Sequence, residues 1–350
     1  MFLVFAIACA RPELGREYTE PIDILDAAGV VQARGWAREP LFGFSRDAVP
    51  DGLRDAIREW DFYAVNTPEF AVNVTLAELD VAGADLVLAS VKVHDYGDGV
   101  ARGPDLFLVD ADDSLSFEPD PDGTYAIASG AGTLSYAMEG DDRVITFVSG
   151  DDHGELRIGA RTGDSVALVT PFADEGRFFY EDKALGMTSS GTVVAGGKTY
   201  IVPEGSLGTM DFARSVMPDQ VTWDWSTAVG TVDGRAVAVN LGSVFGDETG
   251  GTPNAVLVDG VLHKLGRVDW SYALDDVRAP WSFSSGDGRV DLTLTGDRAY
   301  AEQTDTQLGA YHVQLWKLYG VWSGTIELDD GETLAIDGLL GGAEHLQTDW

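Results

Sequence analysis

Hydrophobic and polar residues alternate along most of this chain with a period of two. The clearest stretch runs from Arg58 to Thr75. Trp60, Phe62 and Ala64 alternate with Asp61, Tyr63 and Val65. After a turn at Pro68, Phe70, Val72 and Val74 alternate with Ala71, Asn73 and Thr75. Alternation rich in aromatic and β-branched residues predicts half-buried antiparallel strands. The same pattern returns in Leu86–Val93, Val144–Val148, Ser165–Val169 and Val290–Leu294. Turn signals separate these runs, among them Asp233-Gly234, Asp259-Gly260 and Asp329-Asp-Gly331. An Asp-Gly pair between alternating runs predicts a hairpin, because its turn needs positive φ. Only Pro50–Glu59 reads as helical, and it is a short turn. Many short strands at regular spacing predict an all-β protein of sandwich or barrel type.

Length divides this pattern into domains. The chain has 350 residues, long for one core, so two domains are expected. Composition shifts between Gly186 and Gly205, through Gly191, Gly196-Gly197 and Pro203-Glu-Gly205. The junction is placed there. The expected units are an apolar N-terminal segment over 1–17, a first barrel over 18–190 and a second over 191–350.

The charge balance excludes a class of partner. There are 58 acidic residues against 23 basic ones, a formal net charge of -35. Such a surface repels phosphate backbones, so nucleic acid is not an expected partner. The Asp residues are spread through turn-like clusters, which reads as a solubility device. The single cysteine, Cys9, excludes an intrachain disulfide. Cys9 ends the apolar run Phe2–Cys9, which resembles a bacterial lipobox. If translation begins upstream, the mature chain would start at a lipidated Cys9 and sit on the outer side of a membrane. The alternative is a cytoplasmic protein.

Family resemblance sharpens the fold. Gly35-Trp-Ala-Arg-Glu-Pro40, Glu59–Val65, Tyr180-Glu-Asp-Lys183, Trp223-Asp-Trp225, Val239-Asn-Leu-Gly242, Asn254-Ala255, Pro280-Trp281, Gly309 and Gly341–Glu344 carry it. In order and spacing these segments resemble domain-of-unknown-function family 2804. That family is similar at a distance to carotenoid hydratase, tocopherol cyclase and AttH-type proteins. The resemblance implies two consecutive lipocalin-like antiparallel β-barrels. The chain departs from the family pattern at Ser215, where a glycine is usual, and at Thr252-Pro-Asn254, where an acid is missing.

The residues that could carry chemistry are few. Trp223 and Trp225 share one strand face, with Asp224 on the other. They are expected to line a ligand cavity inside the second barrel, with Asp211 and Arg214 at its polar end. A carboxylate beside an apolar wall is desolvated, so Asp211 is the candidate general acid. Asn254 and Glu344 are further candidate ligand-binding residues. Glu181 and Lys183 are expected to form an ion pair at the domain junction. The five histidines show no metal-ligand spacing, and nucleophile-elbow, P-loop and dinucleotide fingerprints are absent. No metal or cofactor is expected. The sequence therefore predicts binding of an apolar or amphipathic small molecule, a lipid or isoprenoid. The alternative is a lyase or isomerase that protonates an isoprenoid double bond through Asp211.

Overall fold

The computed structural model describes residues 14–81, 84–109, 117–296, 300–309 and 311–350. Cys9 and the lipidation expected of it lie outside the described residues. Almost every described element is a strand. In chain order the first fifteen are β1 (Ile22–Asp23), β2 (Gly35–Ala37), β3 (Phe42–Gly43), β4 (Ile57–Asn66), β5 (Phe70–Val81), β6 (Ala84–Asp95), β7 (Val100–Arg102), β8 (Asp105–Val109), β9 (Tyr125–Ser129), β10 (Gly132–Glu139), β11 (Asp142–Ser149), β12 (Asp152–Ile158), β13 (Val166–Pro171), β14 (Phe178–Ala195) and β15 (Lys198–Val216). Ten more follow: β16 (Gln220–Val232), β17 (Arg235–Ser243), β18 (Ala255–Val258), β19 (Val261–Lys264), β20 (Val268–Ser271), β21 (Trp281–Ser285), β22 (Val290–Thr295), β23 (Ala301–Leu308), β24 (Tyr311–Glu327) and β25 (Thr333–Asp349). The helical reading of 50–59 shrinks to a 3-10 segment, Asp51–Ala56, that leads straight into β4.

Two large antiparallel sheets result, beside a small parallel pair of β1 and β3. The first runs β7-β6-β5-β4-β15-β14-β12-β11-β10-β9, with β13 and β8 added to β14 and β6 and β2 on β13. The second runs β19-β18-β17-β16-β25-β24-β22-β21-β20, with β23 on β24. Each curls around its own core. Val72, Val91, Tyr136, Ile145, Phe178 and Phe212 belong to the first core; Val239, Leu292, Trp281, Leu318 and Trp322 belong to the second. This is the tandem lipocalin-like architecture. The Asp-Gly turns form as expected: Asp233 and Gly234 take φ of 50° and 81°, and Asp259 and Gly260 take 50° and 79°.

The change of sheet does not fall where composition placed it. The glycine-rich stretch 186–205 belongs to one long hairpin, β14–β15, which turns at Gly196-Gly197 inside the first sheet. The chain crosses to the second sheet over Met217–Asp219. Glycine marks positive φ, needed equally at a hairpin turn and at a linker, so it cannot distinguish the two. The units therefore meet near residue 218, not 190.

The outer faces of the two sheets pack against each other. In the first sheet, β4, β14 and β15 lie at the middle; in the second, β16, β17 and β25 do. These strands are buried on both faces. From Phe178 to Leu185, and from Leu207's neighbour Gly208 to Val216, nearly every residue is buried. One face fills a barrel; the other fills the seam.

Candidate functional site

Period-two geometry decides which side chains reach the seam. On β16, Asp224, Ser226 and Ala228 point into the second barrel, while Trp223, Trp225 and Thr227 point out onto the first sheet. This reverses the expected orientation: the tryptophans do not line the second barrel's lumen. Trp223 stacks on Trp60 at 6.3 Å between ring centroids and on Phe245 at 6.1 Å. Trp225 meets Phe62 edge-on at 5.6 Å, and its indole N–H donates to Asn240 Oδ1 at 2.9 Å. Phe179 stacks on Phe245 at 4.7 Å. Aromatic rings from both barrels thus form one continuous wall.

Ionisable groups are set into this wall. Lys183 Nζ lies 2.7 Å from Asp211 Oδ2, 3.0 Å from Glu181 Oε2 and 4.6 Å from the centre of the Trp225 ring. The expected Glu181–Lys183 pair is present, and Asp211 completes it from the neighbouring strand, where Lys183 and Asp211 face each other in register. Burial pushes the Glu181 carboxyl up to about 7, against the pull of Lys183 and with a push from Asp211. Burial alone would lower the Lys183 ammonium; Asp211 and Glu181 together raise it. Burial thus favours the protonated form of Glu181, while the two carboxylates favour the charged form of Lys183. Neither Glu181 oxygen accepts a well-aligned hydrogen bond, and Asp211 Oδ1 is also unbonded.

A second ion pair sits further along the seam. Lys317 on β24 reaches Glu344 on β25 at 2.7 Å, and Trp223 Nε1 donates to Glu344 Oε1 at 3.2 Å. Burial would lower the Lys317 ammonium, but Glu344 holds it well above the ordinary lysine range. Beside this pair is a void of about 20 Å³, walled by Phe62, Trp225 and Tyr319. Asn66 and Thr227 line it as well, and neither end of the Asn66 amide nor the Thr227 hydroxyl has a hydrogen-bond partner. Tyr319 is fixed by Asn73 Nδ2, which donates to its oxygen at 2.6 Å. His94 packs between Tyr300 and Tyr319 at 4.6 and 5.1 Å, and burial lowers its imidazole to about 3.

Four of the residues singled out in the sequence thus converge: Asp211, Trp223, Trp225 and Glu344. Two do not. Arg214 is three residues from Asp211, so it points to the opposite face of β15. It lies fully buried in the first barrel, donating to Asp61 at 3.1 Å and to the Tyr125 oxygen at 3.2 Å, with its guanidinium 3.9 Å from the Phe212 ring centre. Asn254 is a brace. Its Oδ1 accepts from Gly242 N at 2.6 Å and its Nδ2 donates to Gly266 O at 2.8 Å, so both ends of the buried amide tie backbone segments together. Asp211 is ion-paired with Lys183.

The model of the domain-of-unknown-function family DUF2804 matches residues 15–350. The chain belongs to this family. No curated protein matches the sequence. Among solved structures, CghA is similar at 16% identity over 83% of this chain and 88% of its own, with a TM-score of 0.51. CghA with Sch210972 gives 15% identity over 83% and 87%, at 0.48. Kievitone hydratase from Nectria haematococca gives 10% identity over 84% and 88%, at 0.46. At these identities the likeness to CghA is one of fold.

For this DUF2804 member, sequence reasoning passed over Lys317, Asn66, Thr227 and Phe62. Lys317 carried a signal: it stands in the apolar run Leu315-Trp-Lys-Leu-Tyr319, where a lysine must be paired. The other three carry no chemistry until the two sheets meet. The lumen of the second barrel holds a different cluster. Asp224 Oδ1 accepts from Tyr272 Oη and from His345 Nδ1, both at 2.7 Å. Of the neighbours Glu344 and His345, the acid therefore serves the seam and the histidine the barrel. Among the described residues no group of three or more His, Cys, Asp and Glu side chains is arranged to hold a metal.

Proposed function

We propose that this protein binds an amphipathic small molecule in the seam between its barrels. The observation that carries this reading is the set of unbonded polar atoms around the seam void. Buried polar groups are almost always bonded. Here the Asn66 amide and the Thr227 hydroxyl face an aromatic-walled space beside a buried ion pair, with no partner of their own. A guest that offers a hydroxyl or carbonyl to these atoms and an apolar body to Phe62 and Trp225 would satisfy them. The void as it stands admits about one water molecule. A larger guest enters as the barrels part, and the three-residue crossing at 217–219 is the place where such a motion can pivot.

The test is native mass spectrometry of the purified protein, with fluorescence titration of the extracted compound. A co-purified small molecule is expected, with its binding lost in Phe62→Trp, which fills the void. A protein that carries no guest, and whose void holds only an ordered water at high resolution, overturns the reading.

A proton-transfer activity is the second reading, favoured by Glu181. A carboxyl held near 7 in an apolar wall is matched to general-acid work at neutral pH. Glu181 thus takes the role that the sequence suggested for Asp211 in a lyase or isomerase acting on an isoprenoid-like double bond. Under this reading Glu181→Gln binds the guest and leaves it unconverted. Loss of binding with no change in turnover per bound guest argues against it.

A further inference from the structure

The mouth of the first barrel holds an unassigned cavity of about 450 Å³, well separated in its lining from the seam void. Its floor is apolar: Met138, Ile158, Ala184, Met187 and Met210, with Tyr63 at the side. Arg143 on β11 also lines it and is 95% buried by accessible surface, since only 5% of it is exposed. Its contacts are unusual. Nε donates to Tyr63 Oη at 3.0 Å, one Nη to Gly123 O at 2.7 Å and the other to Pro121 O at 3.0 Å. Two other buried arginines, Arg214 and Arg289, reach carboxylates, Asp61 at 3.1 Å and Asp329 at 2.9 Å. Arg143 touches none among the described residues. In a chain with 58 acids and 23 bases this is unexpected, because buried charges are normally paired.

The rim does not supply the missing anion. Arg38 is taken by Glu17 and Asp164 at 2.8 and 2.9 Å, and Arg161 by Asp122 and Asp182 at 3.1 and 3.2 Å. Each of these arginines faces two carboxylates, so the rim around them is net acidic. Asp141 and Glu39 stand at the rim but are exposed, where water screens them. Inside the mouth the cation is Arg143: the buried Asp61 carboxylate feels its charge but is bonded to Arg214, at 3.1 Å. A guanidinium has five N–H groups, and the three bonds above leave two of them free for a guest.

We infer that the first-barrel mouth is a binding site for a monoanion on an apolar body, such as a medium-chain alkyl carboxylate or alkyl phosphate. Its head group pairs with Arg143 and its tail lies on the methionine floor. The volume is within the range of small-molecule sites, roughly 300–1,000 Å³. Methionine is suited to flexible alkyl chains, being unbranched and adaptable. This site is independent of the seam.

Isothermal titration of the whole protein with decanoate, decyl phosphate and decanol tests the inference. At least one anion should bind about tenfold or more tightly than decanol, the discrimination expected of a charge-assisted hydrogen bond. Arg143→Gln should bring the anion down to decanol's affinity. Met138→Trp, which fills the floor beside its cross-strand partner Arg143, should abolish binding of both. Phe62→Trp in the seam should change nothing. Which anion prevails tells whether the head is carboxylate or phosphate. Should Arg143→Gln fail to fold, the wild-type preference and Met138→Trp decide. Decanol binding as tightly as both anions overturns the inference. So does anion binding that survives Met138→Trp, or that is lost in Phe62→Trp instead.

Discussion

Glu181 shows how a single residue changes character with its surroundings. In the unfolded chain its carboxyl titrates at its ordinary value of 4.5; in the seam it is raised to about 7. The folded state therefore holds the proton more tightly. Stability is full below about 4.5, where both states are protonated, and falls as pH rises toward 7. Glu181→Gln removes that loss, so wild type should weaken relative to the variant between pH 5 and pH 8 in urea unfolding. Parallel pH profiles for the two proteins would show that burial does not govern this carboxyl. His94 works in the other sense. Its imidazole is lowered from 6.5 to about 3, so it contributes a stability that is lost as pH falls below 6.5. His94→Gln should blunt the acid sensitivity of the melting temperature in that window. Trp225 is a packing residue in the closed protein, and Trp225→Ala should cost about 3–5 kcal/mol in denaturant titrations. Asn240 Oδ1 also loses its indole donor in that variant. A loss below about 1 kcal/mol would mean the seam is looser than its ring contacts imply.

The β14–β15 hairpin is the element on which the seam depends. Its strands are long, pair in register through Lys183 and Asp211, and are covered on both faces over Phe178–Leu185 and Gly208–Val216. A strand buried on both sides has no free face for charge, so the charges on it must neutralise one another. Lys183→Met leaves Glu181 and Asp211 facing each other without a cation. It should destabilise the protein by about 3–5 kcal/mol, while the triple change to Met, Gln and Asn at 183, 181 and 211 should recover much of that loss. Equal destabilisation by the single and triple variants would place the cost in packing and not in charge. Strand parity explains the rest of the element's chemistry. Asp211 and Arg214 sit an odd number of residues apart on β15, and a two-residue repeat sends them to opposite faces. That rule was available from the sequence. Proximity along the chain is simply a poor guide to proximity on a strand.

The whole molecule should behave as one unit. The seam joins the barrels through a continuous aromatic wall, the Lys183 ammonium against the Trp225 ring and the Asn73–Tyr319 hydrogen bond. Calorimetry should show one cooperative transition. Two resolved transitions would mean that each barrel stands alone. The net charge of -35 sets a second expectation. Self-repulsion across such a surface opposes compactness and is screened by salt. The melting temperature should rise as sodium chloride is raised from about 0.02 to about 0.5 M, over which the Debye length shortens several-fold. A flat response would show that the acidic groups are already compensated locally.

Alternation and turn chemistry determined the strands, their hairpins and the all-β class, because those depend on neighbours within a few residues. The hairpin of β4 and β5 around Pro68 and the turns at Asp233-Gly234 and Asp259-Gly260 were legible for that reason. Family resemblance supplied the tandem arrangement. The same alternation placed Trp223 and Trp225 on one face, opposite Asp224. It could not say which face looks into a barrel, because on β16 both faces are buried and both contain aromatic or apolar residues nearby. Only the packing of one sheet on the other resolved that choice. Tertiary structure likewise decided that Asp211 would meet Lys183, that Lys317 would meet Glu344, and that Arg143 would be left without a carboxylate. Hydrophobic pattern is a local property of a chain. The partner of a buried charge is set by the register of the paired strand, as Asp211 faces Lys183 and Glu344 faces Lys317, and its burial by the sheet that packs over it.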